Sequence, residues 1–219
     1  MPISYRSPPN AARRLIYCCF GAWFAASLAL SYSGILDHVA SGFLLLAGLF
    51  VPAMVCSLAY AGWPAFRSFV NDLPLKLTTV LEAPRVIGGT FLLWKFQQGL
   101  LPAEFAWLTG ISDIIAGLSA IPAAIFLISR EGHPKRGFGP WHIFSLGCLV
   151  ASSLSGILTS RGLNIVGNEI SSQALSSFPM NMVPIFLGPM MILFELASLT
   201  NGGLFAGKYK HKSRTLAPL

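Results

Sequence analysis

FAWLTGISDIIAGLSAIPAAIFLI (Phe105–Ile128), followed at once by SREGHPKRGFGP (Ser129–Pro140), decides the fold class. The first stretch holds one charge, Asp113, and exceeds the ~20 apolar residues a helix needs to cross ~30 Å of hydrocarbon. The second is basic and broken by Gly and Pro, as a connector should be. The same pairing recurs along the chain. Leu15–Leu36, Val39–Trp63, Thr79–Gln98, Trp141–Thr159 and Met180–Leu199 are the other apolar stretches, making six expected spans. Twelve cations (Arg6, Arg13, Arg14, Arg67, Lys76, Arg130, Lys135, Arg136, Lys208, Lys210, Lys212, Arg214) fall in alternate connecting segments, and Arg161 alone falls in the others. By the positive-inside rule, the expectation is an all-α, polytopic bundle of six transmembrane helices with both termini in the cytoplasm.

Composition agrees. With 54% hydrophobic and 11% charged residues over 219, the chain is too apolar for an ordinary soluble domain, and one integral membrane domain over 1–219 is expected. The formal charge of +7 has its explanation in topology, facing anionic lipid, and no nucleic-acid-reading motif accompanies it. Cys18, Cys19, Cys56 and Cys148 lie inside apolar stretches without CxxC or Cys/His spacing, so they read as packing residues and no metal site is expected. Leu15–Ala29 resembles a signal-peptide core, but the apolar run continues to Leu36, which favours an anchor.

The connections set further expectations. Asp37 and His38 alone separate the first two stretches, which should make those helices antiparallel neighbours. Gly99–Glu104 should close a second tight hairpin, Pro102 and Glu104 suiting a first helical turn. In the long connection Ser160–Pro179, Glu169–Leu175 has the look of a short interfacial helix. Phe20-Gly21-x-Trp23 with Ser27-Leu28 matches Phe138-Gly139-x-Trp141 with Ser145-Leu146, and Pro52-x-Met54 matches Pro189-x-Met191. A parallel duplication and coincidence in a biased composition both account for this.

Five charged residues are candidates for an intramembrane polar network. Asp113 lies eight residues into its span, roughly 12 Å deep at 1.5 Å per residue, too deep for its short stem to snorkel. It is either a packing aspartate hydrogen-bonded across a helix interface or part of an ion or proton relay. Lys95, one turn from the outer end of the third span, either snorkels or turns inward to pair with Asp113. Glu82 and Arg85 have the spacing of a same-face pair, and Glu195 lies at the depth of Arg85, so an interhelical Arg85–Glu195 bridge competes with the local one. Interfacial charges satisfied by headgroups are the alternative. Ser145, Cys148, Ser152, Ser155, Gly156 and Thr159 form a small-residue stripe suited to helix packing. Pro52, Pro122, Pro184 and Pro189 permit kinks.

Catalysis is the weaker class. His38, His133, His142 and His211 offer no pair at one depth for haem, and no Gly-x-Ser-x-Gly, HExxH or phosphate-cradling loop occurs. His142 shows no serine-and-acid constellation in the sequence. Neither catalytic nor cofactor-binding residues are expected.

The segment Pro102-x-x-Phe105-Ala106-x-x-x-Gly110-x-x-Asp113-x-x-x-Gly117-x-x-Ala120 resembles one in small bacterial integral membrane proteins of unassigned function, with echoes at Arg85-x-x-Gly88 and Pro184–Pro189. The resemblance implies a bacterial inner-membrane setting and brings no substrate or cofactor. The leading expectation is a non-catalytic structural or accessory membrane component. Its rival is a small ion- or proton-coupled transporter using the intramembrane charges. The lipid bilayer is the expected partner, and a protein partner or homo-oligomer is left open.

Overall fold

A computed structural model describes residues 10–38, 41–160, 165 and 170–202. Those residues are helical throughout, apart from connecting turns and one isolated bridge, Ile128 to Pro134, that closes the basic loop. The long helices are α1 (Asn10–Tyr32), α2 (Ser41–Gly62), α6 (Ala103–Phe126), α7 (Phe138–Leu158) and α8 (Gly188–Asn201), the last entered through a π-helical turn, Val183–Leu187. Shorter helices α3 (Pro64–Asn71), α4 (Leu75–Val80) and α5 (Arg85–Gln97) lie between α2 and α6.

Five of these segments are long and apolar enough to cross a membrane: α1, α2, α6, α7 and Val183–Asn201. Their surfaces fit that environment. On α6 the alanines Ala116, Ala120, Ala123 and Ala124 are buried, while Leu118, Ile121, Ile125 and Phe126 face outward. That arrangement inverts the burial order of a water-soluble helix.

The third expected span is not one helix. Thr79–Gln98 divides between the end of α4 and the whole of α5, whose 13 residues rise about 20 Å, short of the ~30 Å of hydrocarbon. Pro84 supplies the reason, since it has no N–H and its ring disfavours continued α-helix before it. Around it the amides of Glu82, Ala83, Arg85 and Val86 each bond a carbonyl three residues back instead of four. The tightened turn rotates Glu82 and Arg85 into the bundle.

Nor do the first two helices lie side by side. The connection at 39–40 lies outside the described residues, but α1 rests on α3 and on the π-helical turn, and a crevice of about 470 Å³ opens between α1 and α2. The wedge is α3. Trp63 breaks α2 in an extended conformation (φ −114°, ψ 100°), and the chain returns as PAFRSFVN, which buries Phe66 and Phe69 against Ile16 with Phe20, Cys56 and Tyr60 around them. An apolar i, i+3 pair inside a segment that otherwise reads as a loop is the pattern that places it there.

The α5–α6 hairpin forms as expected, closed by Gly99 at φ +70°. Its helices approach so closely that a Cβ on Gly89 would meet the Gly110 carbonyl oxygen at 2.5 Å, and one on Gly117 would meet the Val86 amide at 2.7 Å. In the long connection, Ser172–Ser176 is a 3-10 turn inserted into the bundle rather than a surface helix, with Leu175 buried beside Phe105 and Met180. Glu169, where the interfacial helix was expected to begin, lies outside the described residues. Within α8, Pro189 offers no N–H to the Ile185 carbonyl four residues before it. Trp23 of α1 donates to that oxygen through Nε1 at 3.2 Å, the kind of substitute partner that makes proline tolerable in an apolar medium.

Candidate functional site

The turn between α4 and α5 is the seed of the site. It brings Glu82 and Arg85 inward at i, i+3, and both are almost fully buried. Glycines at 89, 110 and 117 let α6 approach near enough for Asp113 to reach the guanidinium. Arg85 Nε and Nη2 donate to Asp113 Oδ1 at 3.0 and 2.6 Å. Its Nη1 donates to Ser145 Oγ on α7 at 2.7 Å and to Glu82 Oε2 at 3.3 Å. A planar fork with five donors suits this hub, which joins the α4–α5 turn, α6 and α7.

One turn before Ser145, His142 makes the second half. Its Nδ1 lies 2.5 Å from Glu195 Oε2 on α8, and its Nε2 lies 3.2 Å from Thr79 Oγ1 on α4. The Thr79 hydroxyl has one proton, and it is directed to the Leu75 carbonyl at 2.7 Å. Thr79 therefore accepts, and His142 Nε2 carries hydrogen. At Nδ1 a proton must lie between imidazole and carboxylate in either form, imidazolium with carboxylate or imidazole with carboxylic acid. The His142–Glu195 pair is neutral both ways. Next to it, Thr78 Oγ1 and Ser198 Oγ are 2.7 Å apart and fasten α4 to α8 again.

The charge balance of the whole cluster is uneven. Three carboxylates, Glu82, Asp113 and Glu195, face one guanidinium and one imidazole. With the His142–Glu195 pair neutral, Arg85 against Glu82 and Asp113 leaves one negative charge over. Two carboxylate oxygens in this interior, Glu82 Oε1 and Glu195 Oε1, are buried with no hydrogen-bond partner. A single proton carried by one of these carboxyl groups removes the surplus charge.

The expected partnerships are thus redistributed. Asp113 meets Arg85 rather than Lys95, whose ammonium bonds Gln98 Oε1 at 3.3 Å and lies 4.7 Å from the Trp94 ring centre. Glu195 meets His142 rather than Arg85. His142, Ser145 and Thr79 were not singled out as site residues, although Ser145 was in the small-residue stripe. The cue was the i, i+3 relation of His142 to that stripe. The apolar stretch, which starts at Trp141, leaves His142 at its rim, whereas α7 begins at Phe138 and carries His142 into its second turn.

His142 also turns out to have an acid and a hydroxyl on its two nitrogens, contrary to the sequence expectation. That chain does not present an accessible nucleophile: Thr79, His142 and Glu195 are each 0% exposed, and the hydroxyl is held on a carbonyl. Among the described residues, no three His, Cys, Asp or Glu side chains group to hold a metal ion. Two open crevices of about 460 and 470 Å³ flank α1, both lined almost wholly by apolar side chains, and neither is lined by a residue of the cluster.

One family model, described as a domain of unknown function (DUF8737), matches residues 42–201. The match covers well over half of the chain, including the whole buried cluster, and begins after α1. No curated protein and no solved structure matches the chain.

Proposed function

The chain belongs to the DUF8737 family, which brings no activity with it, and we propose from the geometry that it is a small proton-binding, proton-coupled integral membrane protein. Its setting in this reading is a bacterial inner membrane, crossed several times with both termini in the cytoplasm. Five long apolar helices support the membrane setting, and the one-sided cations support the orientation, which requires α4 and α5 together to complete a sixth crossing beside those five.

The surplus carboxylate carries the proposal. A cluster built only to fasten helices would be expected to match its charges, because an uncompensated charge in the bilayer interior is expensive. Here Glu82, Asp113 and Glu195 exceed what Arg85 and His142 neutralise by one. Taking up one proton makes the cluster neutral and releasing it restores the charge, which is the property a relay or coupling site requires. His142, Glu195 and Glu82 carry the proton in this scheme, while Arg85 holds Asp113 and Glu82 in place.

Proteoliposomes with a pH-sensitive dye inside test this. Under an imposed pH difference the wild type should acidify or alkalinise the lumen faster than empty vesicles. Glu195→Gln and Glu82→Gln should insert and fold normally yet lose that flux. Wild-type vesicles no leakier than empty ones, across candidate co-substrates, would remove the transport reading.

A second reading, the structural or accessory component, is favoured by the reach of the same network: Arg85 and His142 between them bond to α4, α6, α7, α8 and the Pro84 turn. Under that reading the Gln variants change stability alone.

A further inference from the structure

Both crevices lie on the seam between α1 and the matched domain, and they adjoin. Phe20, Cys56 and Phe66 line both, with the Phe20 and Phe66 rings 6.5 Å apart as a partition. On one side Tyr17, Phe69, Leu73 and Phe194 enclose about 460 Å³, and on the other Cys19, Trp23, Val55 and Trp63 enclose about 470 Å³. Two adjoining apolar slots divided by one wall suit two acyl chains on a common headgroup.

The near end of this seam is cationic. Arg13, one helical turn before Tyr17, bridges at 2.9 Å to Asp72, which adjoins Leu73 of the first slot. The bridge engages Nη2 alone, and Arg13 Nε is buried without a hydrogen-bond partner. Arg14 and Lys76 stand exposed at the same end. A guanidinium with donors left beyond its one carboxylate bond, beside the exposed Arg14 and Lys76, is complementary to a phosphate bearing two chains.

We propose that one anionic two-chain glycerophospholipid is held between α1 and the matched domain, a chain in each slot and its phosphate on Arg13, and that it seats α1 against the domain. The lipid fills a seam that α3 keeps open by holding α1 away from α2. The proposal rests on the membrane reading and is independent of the proton reading.

The test is native mass spectrometry of the full chain released from vesicles of equal phosphatidylglycerol and phosphatidylethanolamine. Wild type should retain one phosphatidylglycerol after the other lipids are stripped. Arg13→Gln should lower that headgroup preference about fivefold, the effect of one cation near a lipid surface. Ser57→Trp with Ala59→Phe, which fill one slot each, should abolish retention, while Leu118→Trp on the outer face of α6 should leave it unchanged. A second measurement covers the case in which the filled variant does not fold. Phosphatidylglycerol with brominated chains should quench wild-type fluorescence more than its ethanolamine counterpart, and the excess should vanish in Trp23→Phe/Trp63→Phe. Equal retention of both headgroups, retention by the folded filled variant, equal binding of a one-chain lysolipid, or quenching indifferent to headgroup would each overturn the proposal. Failure to reconstitute into vesicles at all would instead overturn the membrane reading.

Discussion

Replacing Arg85 by glutamine should be the most damaging single change in the charge cluster, and adding Asp113→Asn should partly repair it. In the native protein Arg85 makes contacts of 2.6 and 3.0 Å to Asp113, 2.7 Å to Ser145 and 3.3 Å to Glu82. Without the guanidinium, the buried Glu82 and the largely buried Asp113 remain as two carboxylates with no cation. Removing one partner of a buried ion pair costs about 3–5 kcal/mol, chiefly because the other charge stays uncompensated. Asp113→Asn on its own acts differently. Arg85 keeps Glu82 as its counter-charge, the amide oxygen still accepts, and the expected cost is about 1 kcal/mol, that of one weakened hydrogen bond. The double variant has one carboxylate without a cation instead of two, so it should be more stable than Arg85→Gln alone, a coupling of opposite sign to simple addition. Reversible unfolding in mixed micelles, measured on all four proteins, reads this directly. Equal losses for Arg85→Gln and Asp113→Asn, or a double variant weaker than Arg85→Gln, would refute the claim that the cluster holds excess negative charge.

Helix packing predicts opposite effects for two helical glycines, Gly117 on α6 and Gly147 on α7. Gly117→Ala places a methyl 2.7 Å from the Val86 amide and should cost about 1–3 kcal/mol by overpacking. Gly147→Ala meets nothing within 4 Å and should add about 0.5–1 kcal/mol of stability through helix propensity. The same micelle unfolding checks both, and destabilisation by Gly147→Ala would contradict the open surface there. For topology, reporter fusions within Ser129–Pro140 and after Leu219 should report cytoplasm, and fusions within Ser160–Phe178 the outside. A C-terminal fusion active outside the cytoplasm would reverse the proposed orientation or change the number of crossings.

What was readable without coordinates was whatever depends on composition and period. Long apolar runs such as Phe105–Ile128 need no partner to declare themselves, because the cost of an unbonded backbone in hydrocarbon dictates helix. Asp113, Arg85, Glu82 and Glu195 were likewise conspicuous, since charge within an apolar run is rare. The tertiary structure alone decided which of them meet. Depth along a helix axis sets only one coordinate, so it left Lys95 as one candidate partner for Asp113, and Glu195 as well as Glu82 as candidates for Arg85. The azimuth came from the Pro84 turn, which rotates Arg85 inward, and from Gly89, Gly110 and Gly117, which draw α6 onto it. His142 stayed hidden because shifting the start of α7 by three residues moves a side chain from the rim into the second turn. Sequence adjacency likewise implied that α1 and α2 touch, yet the separation was decided by α3 folding back between them. Local chemistry specifies what each segment is, but contact between segments depends on rotations and close approaches that only the assembled chain determines.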